Sequence, residues 1–247
     1  MKVEILPILG VPEIRPGDDL CDLLVASIRL TGIVPEDGDV VVVTQKVVSK
    51  AEGRMVPVGE GGKAAWVARE ARRIVARRGD LVIAETSHGF VCANAGVDVS
   101  NVEEGYVTLL PEDPDGTADR IRTFVGRVFG TEIAVVITDT FGRPWRHGLV
   151  NVAIGCAGLP SLVDLRGTKD GLGRILDVTI VALGDEIAAA TGLVMGKADG
   201  VPAAVVRGVR AEGPHLPASA MVRVGEEDLF PYSPVQEAPP DGGASTS

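Results

Sequence analysis

Two kinds of apolar pattern run along the chain. Short unbroken apolar runs, at 40–44 and at 133–137, read as buried strands, the first made of β-branched residues and covered on both faces. Apolar residues three and four apart read as amphipathic helices. Leu20, Leu23, Leu24 and Ile28 have that spacing, with Asp18 or Asp19 placed to cap. Further strands are expected at residues 3–9, 81–84, 90–93, 176–183 and 202–206. A basic helix is expected over about residues 64–78, with Arg69, Arg72, Arg73, Arg77 and Arg78 on a solvated face. Another should start near Asp115 or Thr117 and end near Phe129. "GDEIAAATGLVM" makes a third, with acids in its first turn where the helix dipole favours them. Residues 150–157 fit helix or strand. The elements mix without a clean βαβ alternation, so the fold class is mixed α/β, or α+β. One domain is expected over residues 1–236, and a disordered, low-complexity tail over 237–247.

Composition narrows the function classes. Aromatic residues are only 4% of the 247, so the core must be Val, Ile, Leu and Ala. Acids exceed bases, 34 to 24, and the net charge of −10 argues against a nucleic-acid partner, which calls for a basic patch or stripe. Cys21, Cys92 and Cys156 form no C-x-x-C pair and suit buried free thiols in a reducing compartment. No apolar run approaches the ~18 residues of a membrane span. Glu4, Pro7 and Gly10 interrupt the first apolar stretch, which makes a poor signal peptide. The expectation is a soluble, cytoplasmic protein without a membrane partner.

Candidate chemistry gathers at four places, each with a plainer reading beside it. In "ITDTFGRPWRHG" an apolar strand stops at Thr138, Asp139 and Thr140, and Arg143, Arg146 and His147 follow. Carboxylate and hydroxyl oxygens suit a hard cation such as Mg²⁺ or Mn²⁺; the plainer role of Asp139 is to cap a turn. "NAGVDVSN" offers Asp98 and Asn101, or else a polar loop with Asx-turns. In "TQKVVSKAEGR", Lys46 and Lys50 share a face if the segment is helical, and can reach phosphates or simply be solvated. "VMGKADGVP" is a glycine loop whose N–H groups can cradle an anion, or a Gly C-cap and turn. No Walker or Rossmann glycine motif is present. Acids, lysines, arginines and a glycine loop together suit metal-assisted phosphoryl transfer.

"DGDVVVVTQKVVSKAEGR", "CANAGVDVSNVEEG", "LLPEDPDGTADRIR", "VVITDTFGRPWRHG", "GDEIAAA" and "PAAVVRG" resemble the coenzyme F420-0:γ-glutamyl ligase family, in order over residues 3–230. The chain is also similar to the N-terminal ligase half of two-domain mycobacterial relatives. The resemblance implies a GTP-dependent ligase that joins L-glutamate to F420-0 and extends a γ-linked tail through an acyl phosphate. It implies a homodimer with sheets intertwined across the two-fold. It implies Asp98, Asp139 and Thr140 as ligands of Mg²⁺ or Mn²⁺, with K⁺ a further candidate cation. GTP contacts are implied at Val11, Pro12, Glu13 and Ile14, at Gln45, Lys50 and Asn101, and at Met195, Gly196, Lys197, Ala198, Asp199, Gly200 and Val201. Lys46 joins them as a phosphate candidate. Arg143 and Lys50 are the candidates for catalysis, Arg143 facing phosphate or the acidic substrate. In archaeal members a loop glutamate helps hold metal; Lys197 stands at the matching place here, and Asp199 is a possible substitute. Two other readings stay open: a paralogue acting on another carboxylate, and a non-catalytic dimer that binds deazaflavin or nucleotide. His88 reads as a turn or packing residue.

Overall fold

A computed structural model describes residues 2–228 and Phe230. The tail expected at 237–247 lies outside the described residues. The fold is mixed α/β, in two compact units. The first holds the described residues of 1–56 and 110–222, the second those of 57–109 and 223–247.

The first unit opens with β1 (Glu4–Ile8) and α1 (Leu20–Thr31). Asp19 caps α1 by accepting the Asp22 N–H at 3.1 Å, and Gly32 closes it in the left-handed region at φ 77°. β2 (Val40–Thr44) passes without a loop into α2 (Gln45–Ala51), so the lysine-bearing segment is helical. β3 (Met55–Pro57) follows, and at Pro57 the chain enters the second unit.

There α3 (Gly62–Glu70) runs straight into β4 (Ala71–Arg78). The expected basic helix over 64–78 is therefore a helix only to Glu70. The β-branched pair Ile74 and Val75 disfavours helix, and β4 instead pairs antiparallel with β5 (Leu81–Thr86), which pairs with β6 (Val91–Ala93). Arg73 donates to Glu85 at 2.7 Å across that ladder. Arg69, Arg72, Arg77 and Arg78 do face water. His88 stacks on Phe90, as a packing residue should. β7 (Tyr106–Thr108) is the last strand of this unit.

The chain returns with α4 (Pro114–Phe129). Its cap is neither Asp115 nor Thr117 but Asp113, which accepts the Gly116 N–H at 2.9 Å. Proline is at home in the first turn, where no N–H is needed, so the cap falls before Pro114. Asp115 accepts instead from the N–H groups of Cys156 at 2.8 Å, Ala218 at 2.7 Å and Ser219 at 3.2 Å. β8 (Ala134–Arg143) and β9 (Arg146–Ala157) form a long hairpin, so residues 150–157 are strand. β10 (Val163–Asp164) pairs with β11 (Ile180–Val181). The strand expected over 176–183 shrinks to those two residues. The N–H of Leu176 goes to the Thr168 carbonyl at 2.9 Å, beside an isolated antiparallel bridge between Lys169 and Ile175, so this end of the segment pairs locally and not with β10. α5 (Leu183–Met195) and β12 (Ala203–Arg207) complete the main elements.

The main sheet has the order β1-β12-β2-β8-β9, and only β2 and β8 run parallel. Val40 to Val43 are each at most 1% exposed, which explains the unbroken valine run. Burying each contributes about 1.5–3 kcal/mol. Val40, Val42, Val136, Ala204 and Val206 pack with Leu183, Ile187, Ala188 and Met195 of α5. Val41, Val43, Val135 and Ile137 alternate to the other face and are equally buried. Among the described residues no helix is long and apolar enough to cross a membrane.

Candidate functional site

The register of the main sheet decides which residues meet. Thr44 of β2 lies beside Thr138 of β8, and Ala203 of β12 lies beside Val43. Ile8, the last residue of β1, lies beside Ala203. One end of the sheet therefore collects four segments. Residues 9–14 leave β1 there, and α2 leaves β2. Asp139 and Thr140 extend past Thr138. The loop 196–202 arrives at β12. The Thr44 N–H donates to the Pro202 carbonyl at 2.8 Å and holds the loop to that end. Parallel strands commonly bind ligands beyond their carboxyl ends, and β2 and β8 are such a pair.

The strand expected to stop at residue 137 does not stop. β8 continues to Arg143 as a two-stranded ribbon with β9, after a register shift between Ile137 and Thr138. What ends at Thr138 is the neighbour on the other side, because β2 gives way to α2 at Gln45. Thr138 is buried, while Asp139 and Thr140 are only partly so. The change in chemistry after residue 137 thus marks where the strand loses a neighbour. The tip of the ribbon is braced by Arg143, whose Nη2 donates to the His147 carbonyl; its Nε is buried without a hydrogen-bond partner. Arg146 and His147 are exposed.

At the centre of the site is a three-residue cluster. The Lys197 ammonium donates to Thr140 Oγ1 and to Asn151 Oδ1, the latter at 2.9 Å. Thr140 Oγ1 donates to Asn151 Oδ1 at 3.0 Å. Burial draws the Lys197 ammonium below the ordinary lysine value; Asp139 opposes that shift and Lys46 adds to it. Asp139 follows Thr138, which lies beside Thr44, and Lys46 stands in the first turn of α2 after Thr44, so both leave the same end of the sheet. Beside it, the Lys50 ammonium donates to Glu13, tying α2 to the segment after β1. Lys50 is buried, so the reading of two solvated lysines fails for it. Gln45 is buried and accepts from Ser49 Oγ at 2.8 Å.

The remaining candidates divide by position. Val11, Pro12 and Glu13 lie at the sheet end, whereas Ile14 is 2% exposed and belongs to the core. Met195 is likewise a core residue, so only its backbone can meet a ligand. Gly196 has φ 58°, and a Cβ there would sit 1.9 Å from Asp199 Oδ2. The carboxylate of Asp199 is thus folded over its own loop, and the backbone at Gly196, φ 58° with ψ −166°, is one that favours glycine. Lys197, Ala198 and Gly200 are exposed, and Val201 partly so. Asp98 and Asn101 belong to the second unit. Asp98 accepts from the Ser100 N–H at 2.9 Å and from Ser100 Oγ at 2.7 Å, the Asx-turn of the plainer reading. Asn101 has φ 54°.

Asn151 escaped the sequence reading. It is 6% exposed and stands opposite Thr140 in the hairpin. Its signal was a lone amide inside an otherwise apolar run, but its partner follows only from the hairpin register.

As a cation site the donor set is uneven. The Asp139 carboxylate suits a hard cation. The Thr140 hydroxyl already receives an ammonium, and Asn151 shares it. Among the described residues no three His, Cys, Asp or Glu side chains gather as a metal cage. The Asp139 carboxylate suits a divalent ion, and at Thr140 the group present is the Lys197 ammonium.

Residues 9–208 match the model of the F420-0:Gamma-glutamyl ligase family. The chain is 44% identical to the coenzyme F420:L-glutamate ligase of Methanopyrus kandleri, over 93% of this chain and 97% of that protein. It is 40% identical to the ligase of the same name from Methanothermobacter thermautotrophicus, over 93% and 99%. With that of Archaeoglobus fulgidus the identity is 41%, over 86% and 90%.

Proposed function

The chain belongs to the F420-0:Gamma-glutamyl ligase family, and from that premise we propose that it joins L-glutamate to coenzyme F420-0 at the cost of GTP. It then extends a γ-linked glutamate tail. The observation that carries this reading is the convergence of Asp139, Lys46, Lys197 and the Lys50–Glu13 pair at one end of the sheet. A free carboxylate is a poor acyl donor. Its oxygen attacks the γ-phosphorus of GTP, the bond to the β-phosphate oxygen breaks, and GDP leaves. The glutamate amine adds to the resulting acyl phosphate, loses a proton and expels phosphate.

Both steps bring anions together, and the protein's part is to screen and position them. Lys46 and Lys197 meet phosphate oxygens, and the N–H groups of the 196–201 loop cradle them. Lys50, aimed by Glu13, fixes the nucleotide. Arg143 faces the acidic substrate. A divalent ion at Asp139, when bound, supplies further charge neutralisation; Asp98 is a ligand and Asn101 a nucleotide contact in the same proposal. The working form is a homodimer with intertwined sheets, which light scattering tests.

The direct test is incubation with F420-0, L-glutamate, GTP and Mn²⁺, with products followed by mass. A ladder of glutamate additions with matching GDP is expected. Asp139→Ala should lower the rate by about 10²-fold or more while the fold is kept. GTP bound by folded protein with no mass shift would overturn the substrate assignment and leave a paralogue acting on another carboxylate.

A further inference from the structure

We propose that Lys197 is a resident cation of this site, standing at Thr140 and Asn151 in place of a metal ion, so that each chain takes a single divalent ion, at Asp139. The inference rests on the nucleotide-ligase reading of the same site and deepens it.

Three observations carry it. The first is the direction of the hydrogen bonds. Thr140 Oγ1 gives its only proton to Asn151 Oδ1, which leaves its lone pairs to the ammonium. Asn151 Oδ1 accepts from both. Two neutral oxygens thus face one positive charge, as they would face a metal. The second is the anchoring of the arrangement at both ends. Asn151 is buried and is the register partner of Thr140. The loop carrying Lys197 is set by Gly196 at φ 58° beneath Asp199, and by the Thr44 N–H on Pro202. The third is charge. A divalent ion added at Thr140 would meet an ammonium at hydrogen-bonding distance, whereas one at Asp139 meets a carboxylate. An ammonium has three donors, and two are spent on Thr140 and Asn151. The third can meet a phosphate oxygen of the nucleotide.

The test is to count bound Mn²⁺ on the full chain by electron paramagnetic resonance, with a non-hydrolysable GTP analogue present. Wild type should bind one ion per chain and Lys197→Glu two. Two ions on wild type would overturn the proposal and leave the ligase reading standing, as would one ion on both proteins. No ion and no analogue bound by folded wild type would overturn both. Lys197→Gln keeps the length and loses the charge. It should bind the analogue about tenfold more weakly at micromolar Mn²⁺, the scale of one charge-assisted hydrogen bond. At millimolar Mn²⁺ the gap should close as metal enters the vacated place. A gap that persists at all Mn²⁺ concentrations, with unchanged thermal melting, would make Lys197 an ordinary phosphate contact and overturn the substitution of ammonium for metal.

Discussion

Asp185 shows how burial at one position sets a pH dependence. It is the third residue of α5, and its carboxylate accepts the Ala153 N–H at 2.8 Å. Burial raises its pKa above the ordinary 3.8, and that hydrogen bond pulls the other way. The folded protein therefore holds this proton to higher pH than the unfolded chain does. Stability should fall as pH rises from about 3.8 through the raised folded value, and then level off. Asp185→Asn can still accept from Ala153 and should lack that decline. Urea unfolding of both proteins across this range checks it; parallel curves would refute it. Cys156 is a second buried group with a held proton. Burial, then Asp115 and Asp185, push its thiol far above the ordinary value; Cys156 and Cys92 are the buried free thiols expected, whereas Cys21 is only part-buried. Lys50 and Glu13 divide their burial unequally, with side chains 9% and 75% exposed, so the carboxylate stays open to water while the lysine is fixed.

Elements were legible where a single period ruled a segment. The valine run of β2, the capped α1 and the acid-led α5 follow from burial, capping and dipole in turn. They failed where long-range pairing decided. Residues 71–78 carry enough arginine to pass for a helix, and only the ladder to β5 makes them a strand. β8 goes on past its apolar run because β9 continues beside it, a fact no local pattern holds. The site divides the same way. Asp139, Thr140 and Lys50 could be picked from their motifs, but Asn151 could not be paired with Thr140 before the hairpin register was known. Packing of α4 on the hairpin gives an element-scale prediction. A Cβ on Gly155 would lie 2.4 Å from the Pro114 carbonyl oxygen, a backbone atom that cannot swing aside. Gly155→Ala should therefore destabilise by roughly 1–3 kcal/mol through overpacking. The melting temperature should drop by about 2–4 °C per kcal/mol for a chain of this size. An unchanged melt in calorimetry would show that α4 can shift at little cost.

At the scale of the molecule, the second unit is an excursion from the first. Arg54 Nε donates to the Leu110 carbonyl at 3.0 Å, so the chain leaves the first unit and re-enters it side by side. A short Gly/Ser linker in place of residues 57–109 should leave a first unit that melts cooperatively. Amide exchange should still protect the centre of its sheet, at residues 40–43 and 203–206. On the ligand and nucleotide roles proposed for Asp98 and Asn101, which leave with the excursion, ligase turnover should vanish. Loss of cooperative melting would show that the first unit depends on the second for its fold.

The placing of β12 between β1 and β2 sets a clock on biosynthesis. Two strands made first flank one made much later, so the sheet cannot close while the ribosome is still working through residues 45–202. At about 5–20 residues per second, the interval from Thr44 to Ala203 is roughly 8–30 s. Throughout it, the Val40–Thr44 edge has no native neighbour on the β12 side. A valine run left open in this way is the stretch a nascent-chain chaperone would hold.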